Sequence, residues 1–214
     1  MDYLFYLITS SIGAYFLGSI PTAVWIGKYF HKTDVREHGS KNAGATNAIR
    51  VLGLKTGIIV LIIDALKGIA AVSLVYFFLE VFPGDNTRVL FQLLLGVFAL
   101  VGHIFPIFAG FRGGKGIATL AGIIIALFPG TVLICLGVFG LTFLATRIVS
   151  IGSMLASITF PVVVIFFDQE AVLAEMIFSV IVAVFVPLTH RKNIYRLLKG
   201  EEKKLQIKKN TNKK

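Results

Sequence analysis

The sequence predicts an all-α integral membrane protein with seven transmembrane helices. The chain has 214 residues, of which 56% are hydrophobic and only 15% are charged, and its mean hydropathy is +0.85. Soluble domains carry about 25% charged residues. The apolar residues are also grouped into runs that approach the roughly 20 residues needed to cross a bilayer. Together these observations exclude a water-soluble enzyme.

Each span is predicted from an apolar run that ends at a polar break. We predict them at 3–27, 55–79, 88–108, 116–129, 131–146, 150–167 and 171–189. The first lacks a preceding basic segment and is too long for a signal-peptide core, so we expect it to be retained. The fourth and fifth are short and meet at Pro129-Gly130, a turn signal.

The basic residues predict the orientation of these spans. Of the 21 Lys and Arg residues, all except Lys67 and Arg88 lie in connections on one side or in the C-terminal tail. Because cytoplasmic connections are enriched in Lys and Arg, we expect an N-terminus outside and a C-terminus in the cytoplasm. Arg147 falls on the basic side only if the fourth and fifth runs are separate spans.

One domain is expected over residues 1–200, followed by a basic, disordered cytoplasmic tail over 201–214. Lysine-rich segments next to a membrane bind anionic lipid headgroups. No aromatic residues are interleaved with these lysines, so a nucleic-acid partner is not expected. The single cysteine, Cys135, cannot form a disulfide within the chain.

Three polar segments map to the predicted cytoplasmic face. In the second of them, "GHIFPIFAGFRGGKGIAT", Gly113, Gly114 and Lys115 precede a predicted helix. Glycine-rich backbone at a helix N-terminus is typical of phosphate binding. The pattern is not a Walker A loop, because Gly116 follows the lysine. A tight turn that contacts lipid phosphates is an equally good interpretation of this segment.

The first segment, "HGSKNAGATNAIR", carries neutral hydrogen-bonding side chains and one arginine between two apolar spans. These residues are Ser40, Asn42, Thr46, Asn47 and Arg50. A guanidinium can bind phosphate through two parallel hydrogen bonds. The alternative is a surface loop of turn-forming residues, but the stretch "AGATNAIR", which has no charge before Arg50, favours a half-buried binding segment.

The third polar segment, "PLTHRKNIYRLLKGEE", follows the last span, and two further candidates lie within the second span. His190 is the best acid–base candidate by residue type, although a lone histidine at a helix end also serves as a structural contact. Asn193 follows on the next turn. Asp64 and Lys67 are spaced to pair on one helix face. Lys67 therefore either adds positive charge to the site or belongs to a pair that fixes helix packing.

The distribution of acids and histidines excludes two kinds of chemistry. No histidine is followed by an acid four or five residues later, so the His-x4-Asp dyad of acyl-CoA acyltransferases is missing. Asp64 is the single acid placed within a predicted span near the cytoplasmic face, which disfavours an aspartate-rich two-metal site. We expect neither a metal nor a cofactor.

Five motifs resemble those of the bacterial acyl-phosphate:glycerol-3-phosphate acyltransferases. They are "GSIPTA", "GSKNAGATNAIRVLG", "DALKG", "GHIFPIFAGFRGGKGIAT" and "HRKNIYRL". Each is modest by itself, but their order and their placement on the predicted topology make the resemblance specific, and it runs over the whole chain. One departure is Lys41, which stands where the family usually has glycine. If that glycine requires positive φ, the local backbone should differ here.

The resemblance implies transfer of an acyl group from acyl phosphate to the 1-hydroxyl of glycerol 3-phosphate, giving lysophosphatidic acid and phosphate. It implies that the site is lined by Ser40, Arg50, Lys115, His190 and Asn193, with Asn42, Thr46, Asn47 and Lys67 nearby. It also implies an enzyme of the bacterial inner membrane that depends on an acyl-phosphate-forming enzyme for its donor. The sequence does not determine the oligomeric state, and a monomer is compatible with it.

A direct displacement fits these residues, since acyl phosphate is already activated. The identity of the base stays open between the substrate phosphate, Ser40 and His190. The rival interpretation is a membrane carrier for an organic phosphate, which cationic loops would also serve. The sequence has no convincing internal repeat of the kind that carriers show.

Overall fold

The computed structural model describes residues 2–78 and 84–205, and every regular element in these ranges is helical. The α-helices are α1 Asp2–Ser19, α2 Thr22–His31, α3 Ala45–Leu52, α4 Leu54–Ser73, α5 Asp85–Ile104, α6 Ile117–Leu127, α7 Pro129–Thr146, α8 Val149–Phe166, α9 Leu173–Thr189 and α10 Arg191–Leu198. Short 3₁₀ segments cover Leu74–Phe78 and Ile107–Ala109.

The all-helical membrane class is confirmed, but the count of seven spans is not. Within the described residues, five helical segments are long and apolar enough to cross a membrane. A sixth arises if α9 and α10, which meet at a bend of 59°, are taken as one span. The first predicted span is interrupted at Ile20-Pro21, where α1 ends and α2 begins. Proline interrupts the helix because it lacks an N–H and clashes with the preceding turn.

Helix α6 accounts for the difference between six spans and the predicted seven. It corresponds to the predicted span 116–129 but has only 11 residues, a length of about 16 Å, roughly half of a bilayer core. Phe128 leaves the helical conformation between α6 and α7, so the two helices are separate, as expected from Pro129-Gly130. Seven crossings therefore remain a prediction.

Glycines allow the closest helix contacts. A Cβ atom on Gly18 of α1 would lie 2.0 Å from the carbonyl oxygen of Ala99 in α5, and one on Gly122 of α6 would lie 1.9 Å from that of Ala65 in α4. Both distances are impossible for any other residue. In lipid, helix association depends on van der Waals contact and hydrogen bonding, and small residues permit both. These contacts pair α1 with α5 and α4 with α6.

The polar segments are joined to each other at one end of the helices. Arg36, in the connection between α2 and α3, pairs with Asp34 at 2.8 Å and donates to the carbonyl oxygen of Ala109 at 2.7 Å. The guanidinium of Arg36 holds the pKa of the Asp34 carboxyl well below its usual range. The hydrogen bond from Arg36 to Ala109 holds the connection that leads into the first polar segment against the second segment.

The C-terminal segment is ordered further than expected. The predicted tail begins at residue 201, yet residues 201–205 are described and Leu205 is buried. The backbone N–H of Leu205 donates to the carbonyl oxygen of Arg147 at 2.8 Å, which ties this segment to the α7–α8 connection. Residues 206–214 lie outside the described residues, so disorder there stays a prediction.

Candidate active site

A cavity of about 890 Å³ opens where the three polar segments meet. Its polar end is lined by residues of the first segment, by Lys115 and by the segment that follows α9. Its other end is lined by apolar side chains of α6, α7, α8 and α9. The cavity therefore combines a cationic mouth with an apolar interior.

Asn47 shapes the loop that carries Ser40. The Oδ1 atom of Asn47 accepts from the backbone N–H of Ser40 at 2.7 Å. Its Nδ2 group donates to the carbonyl oxygens of Val35 at 2.7 Å, Asn42 at 2.9 Å and His38 at 3.1 Å. Asn47 is 1% exposed, so its amide is used within the protein and presents Ser40 to the cavity.

Asn42, Thr46 and Ser40 line the cavity together, as the sequence predicted. Lys41 adopts φ 59°, the left-handed conformation that glycine takes most readily. The expectation of a different backbone at this position is therefore wrong: the lysine accepts the strained conformation instead. Gly39 also has positive φ, and a Cβ there would lie 2.3 Å from Oδ1 of Asn47.

Lys115 lies directly before α6 and is half-buried at the polar end of the cavity. Its ammonium donates to Oδ1 of Asn193, which joins the second polar segment to the third. Gly116 takes φ 79° and caps α6. The first N–H groups of a helix have no intrahelical acceptor, so Lys115 and the start of α6 offer positive charge and donors at one place.

The role predicted for Gly113 and Gly114 is not supported. Their N–H groups donate to the carbonyl oxygens of Ile104 and His103, at 3.1 and 3.2 Å, at the end of α5. A Cβ atom on Gly114 would lie 2.2 Å from Nε2 of His103. These glycines are required because the chain passes so close to His103, and their N–H groups are already engaged rather than offered to phosphate.

His190 is buried at the junction of α9 and α10 and lines the cavity. Its Nδ1 lies 2.9 Å from the carbonyl oxygen of Val186, which can only accept, so Nδ1 carries the proton. Burial and the nearby charge of Lys115 lower the pKa of His190 to about 4. At neutral pH the ring is therefore uncharged, with the lone pair on Nε2.

Arg50 lies in the last turn of α3 and is half-buried at the cavity. It donates to the carbonyl oxygen of Lys203 at 3.2 Å. Burial, together with the charge of Arg196, lowers its pKa, whereas Glu202 raises it. The guanidinium remains charged because its ordinary pKa exceeds 12.

The predicted site omitted, among other lining residues, a hydrogen-bonded group at the cavity formed by Ser150, Arg196 and Glu202. The Glu202 carboxylate accepts from Ser150 at 3.1 Å and from Arg196 at 2.6 Å, and it also accepts from Asn193. Burial on its own would raise the pKa of Glu202, but the hydrogen bonds of Arg196 and Asn193 lower it. The available signal was the pair of acids Glu201 and Glu202 inside an otherwise basic tail.

Lys67 is not at the cavity with the other predicted residues. Its ammonium pairs with Oδ1 of Asp64 at 2.9 Å and donates to the carbonyl oxygen of Ile20 at 3.0 Å. Thr22 also donates to Oδ1 of Asp64, at 2.9 Å. Both charged side chains are buried, so the geometry favours a pair that fixes α1, α2 and α4 together. Among residues 2–78 and 84–205, no group of three or more His, Cys, Asp or Glu side chains is placed to hold a metal ion.

The fold and cavity define a class of membrane-embedded protein that acts on an amphipathic phosphate compound. Cations and helix N–H groups match phosphate, and the apolar interior matches a hydrocarbon chain.

Comparison with known proteins identifies the family. The glycerol-3-phosphate acyltransferase family matches residues 8–200. The chain is 42% identical to the glycerol-3-phosphate acyltransferase of Chlorobium chlorochromatii and 45% identical to that of Listeria welshimeri, each over 94% of this chain and 97% of the relative. It resembles the crystal structure of PlsY (YgiH), an integral membrane glycerol 3-phosphate acyltransferase, in its glycerol 3-phosphate form, with a TM-score of 0.81, 33% identity and 96% coverage of both chains. The lysophosphatidic acid form of PlsY gives a TM-score of 0.77 with 33% identity over 95% of both chains.

The chain belongs to the glycerol-3-phosphate acyltransferase family. The family predicted from the five motifs is thereby confirmed, and the enzyme is favoured over a carrier for an organic phosphate.

The charge of Lys115 predicts an alkaline loss of activity. Burial lowers the pKa of Lys115 to about 8, with Glu202 raising it and Arg196 and Arg50 lowering it. Because the protonated form binds phosphate, kcat/KM should fall as pH rises through about 8. His190 is uncharged in this range and should not contribute.

Initial rates across neutral and alkaline pH, corrected for donor hydrolysis without enzyme, test this expectation. Lys115→Arg is the matched variant, because its guanidinium stays protonated. It should move the alkaline decline to higher pH even where its overall rate is reduced. An identical decline in both proteins would contradict the assignment to Lys115.

Proposed function

We propose that the protein transfers an acyl group from acyl phosphate to the 1-hydroxyl of glycerol 3-phosphate, giving lysophosphatidic acid and phosphate. The observation that carries the proposal is one continuous cavity with a cationic mouth and an apolar interior. Both substrates carry a phosphate, which accounts for positive charge from more than one segment. The acyl-phosphate donor must be supplied by an enzyme that forms it. All the cavity-lining residues named above come from one chain, which is compatible with a monomer.

The apolar part of the cavity supports a place for the acyl chain. The apolar lining comes mainly from α6, α7 and α9. On α8 the lining residues, serines among them, run from Ser150 to Phe160, a distance of about 15 Å along the helix. Phe160 is 1% exposed and packs edge-on against Phe128, with ring centroids 5.0 Å apart. In this proposal Phe160 closes the inner end of the groove, while the carbonyl carbon lies near Lys115.

The chemistry proposed is a single displacement. The 1-hydroxyl oxygen of glycerol 3-phosphate bonds to the acyl carbon, and the bond from that carbon to the phosphate oxygen breaks. The electrons of the broken bond leave with phosphate. Lys115 and Arg50 stabilise the charge that develops on the phosphate and the acyl oxygen. No protein nucleophile is needed, and Cys135 lies in the apolar part of the cavity.

The proton of the attacking hydroxyl is proposed to pass to the leaving phosphate. His190 has a pKa of about 4, so its Nε2 is a weak base at neutral pH. It can still accept a hydrogen bond and orient the hydroxyl, because Nδ1 is held by Val186. We therefore assign orientation to His190 and proton acceptance to the substrate.

His190→Gln separates these two roles. A base that accepts the proton contributes roughly 10²–10⁴-fold to the rate, whereas a hydrogen bond alone contributes about 0.5–1.5 kcal/mol. Since glutamine keeps a hydrogen-bonding group, we expect a loss of about tenfold in kcat and little change in the pH profile. Steady-state kinetics on a variant of normal thermal stability measure this. A near-complete loss of kcat would assign the base to His190.

The acyl donor gives the most direct test of the proposed reaction. Purified protein should form lysophosphatidic acid from palmitoyl phosphate and glycerol 3-phosphate in the presence of EDTA. Palmitoyl-CoA should not support turnover, because the described chain gives no separate soluble domain to hold the nucleotide. The Lys115→Ala variant serves as the control for uncatalysed transfer. Efficient use of the thioester, or none of the acyl phosphate, would overturn the proposed reaction.

We further propose that the protein crosses the bacterial inner membrane seven times, with residues 1–200 as one domain, the N-terminus outside and the cavity mouth facing the cytoplasm. The support is the concentration of Lys and Arg on the side that carries the three polar segments. Helix α6 would be the shortest crossing.

Cysteine labelling tests this orientation in a Cys135→Ala background. Asp85→Cys is highly exposed at the start of α5, and Lys192→Cys is exposed on α10. An impermeant thiol reagent added to spheroplasts with intact inner membranes should label Asp85→Cys, whereas Lys192→Cys should react only after the membrane is opened. The reverse pattern would place the site on the other face.

A further inference from the structure

The Glu202 carboxylate lies among the cations of the cavity, yet it is only 3% exposed. It accepts hydrogen bonds from three residues on two helices: Ser150 of α8, and Asn193 and Arg196 of α10. Charge-assisted hydrogen bonds of this kind are stronger than neutral ones. A carboxylate held in this way by several donors has little freedom to move.

The chain of hydrogen bonds continues from Glu202 through Asn193 to Lys115. Asn193 donates its Nδ2 group to Glu202 and accepts the ammonium of Lys115 on Oδ1. An ammonium can only donate and a carboxylate can only accept. The two charged groups therefore dictate which way the amide of Asn193 faces, and the amide in turn fixes the Lys115 side chain.

The backbone around Glu202 is anchored on both sides. The N–H of Glu201 donates to the carbonyl oxygen of Arg196 at 2.8 Å, and the N–H of Leu205 donates to that of Arg147 at 2.8 Å. Arg50 donates to the carbonyl oxygen of Lys203 between them. The segment 201–205 is thus held in place, with Glu202 at the cavity wall and the carbonyl oxygen of Lys203 in contact with a cation from the first polar segment.

We propose that Glu202 is a positioning residue for acyl transfer, which holds Asn193 so that Lys115 is aimed at the phosphate of the reacting substrate. This inference rests on the proposed function for the identity of that phosphate. Glu202 is not a catalytic residue, because a carboxylate repels phosphate and its own oxygens are engaged by the protein. Its contribution reaches the reaction through Lys115.

Glu202 also has an electrostatic effect on the same lysine. Lys115 faces Arg50 of α3, Arg196 of α10 and His190 at the end of α9, and the two arginines favour its neutral form. Glu202 is the group that favours its protonated form. Removing the negative charge should therefore lower the pKa of Lys115, which a purely structural role for Glu202 would leave unchanged.

The experiment compares Glu202→Gln, Glu202→Asp and the matched control Glu201→Gln, whose side chain is on the exposed neighbouring residue. Each protein is assayed with palmitoyl phosphate and glycerol 3-phosphate across pH, and its thermal unfolding is recorded. For Glu202→Gln we expect kcat/KM to fall by roughly tenfold or more, and the alkaline decline to move to lower pH. Glu202→Asp should keep the position of that decline with a smaller loss of rate.

The outcomes separate this inference from its alternatives. Unchanged kinetics in Glu202→Gln, or reduced thermal stability with the alkaline decline unmoved, would overturn it. A lower KM in Glu202→Gln would also overturn it, since the carboxylate would then compete with substrate phosphate. Activity of the wild type and of Glu201→Gln with acyl phosphate supports the proposed function independently, and inactivity of both would contradict that function instead.

Discussion

The arrangement of the cavity mouth depends on how a half-buried ammonium is held. Lys115 is taken partly out of water, and a buried charge is costly unless it is paired or hydrogen-bonded. Asn193 supplies a neutral oxygen to it, and Glu202 supplies a carboxylate one step further away. In a direct ion pair, a full negative charge would neutralise the ammonium of Lys115. The intervening amide keeps Lys115 hydrogen-bonded but leaves it attractive to a phosphate.

This hydrogen-bonded chain also explains why distant parts of the sequence must meet. Lys115 precedes α6, Asn193 lies on α10, Ser150 begins α8 and Glu202 follows α10. These groups come from different parts of the chain, and no single helix carries all of them. The bend of 59° between α9 and α10 accompanies the placement of His190, Asn193 and Arg196 at the cavity.

The pair formed by Asp64 and Lys67 shows a different role for a buried lysine. Lys67 contacts the carboxylate of Asp64 directly and also donates to the carbonyl oxygen of Ile20. Both of these contacts of the ammonium are with groups of the protein, and the direct pairing neutralises its charge. Removing one partner of such a pair leaves an uncompensated charge, so the pair secures the helices beneath the site. Two lysines of the same chain thus differ in role because their partners differ.

Composition and motif order were enough to predict a helical membrane protein, its family and a set of residues that meet at the cavity. Ser40, Arg50, Lys115, His190 and Asn193 do converge there. They could be found because a phosphate site needs cations, glycines and small polar groups, which are conspicuous between apolar runs. Helix existence was also predictable, since the hydrophobic runs are long.

Only the tertiary structure decided what individual polar groups contact. The sequence could not show that the N–H groups of Gly113 and Gly114 end on α5, or that Asn47 is used within its own loop. Nor could it bring Glu202 out of the basic tail and into the cavity wall. Hydropathy determines which segments enter a bilayer, because transfer from water depends on composition. Hydrogen-bond partners depend on distances of a few tenths of an ångström between segments far apart in the chain, and those distances are set by helix packing.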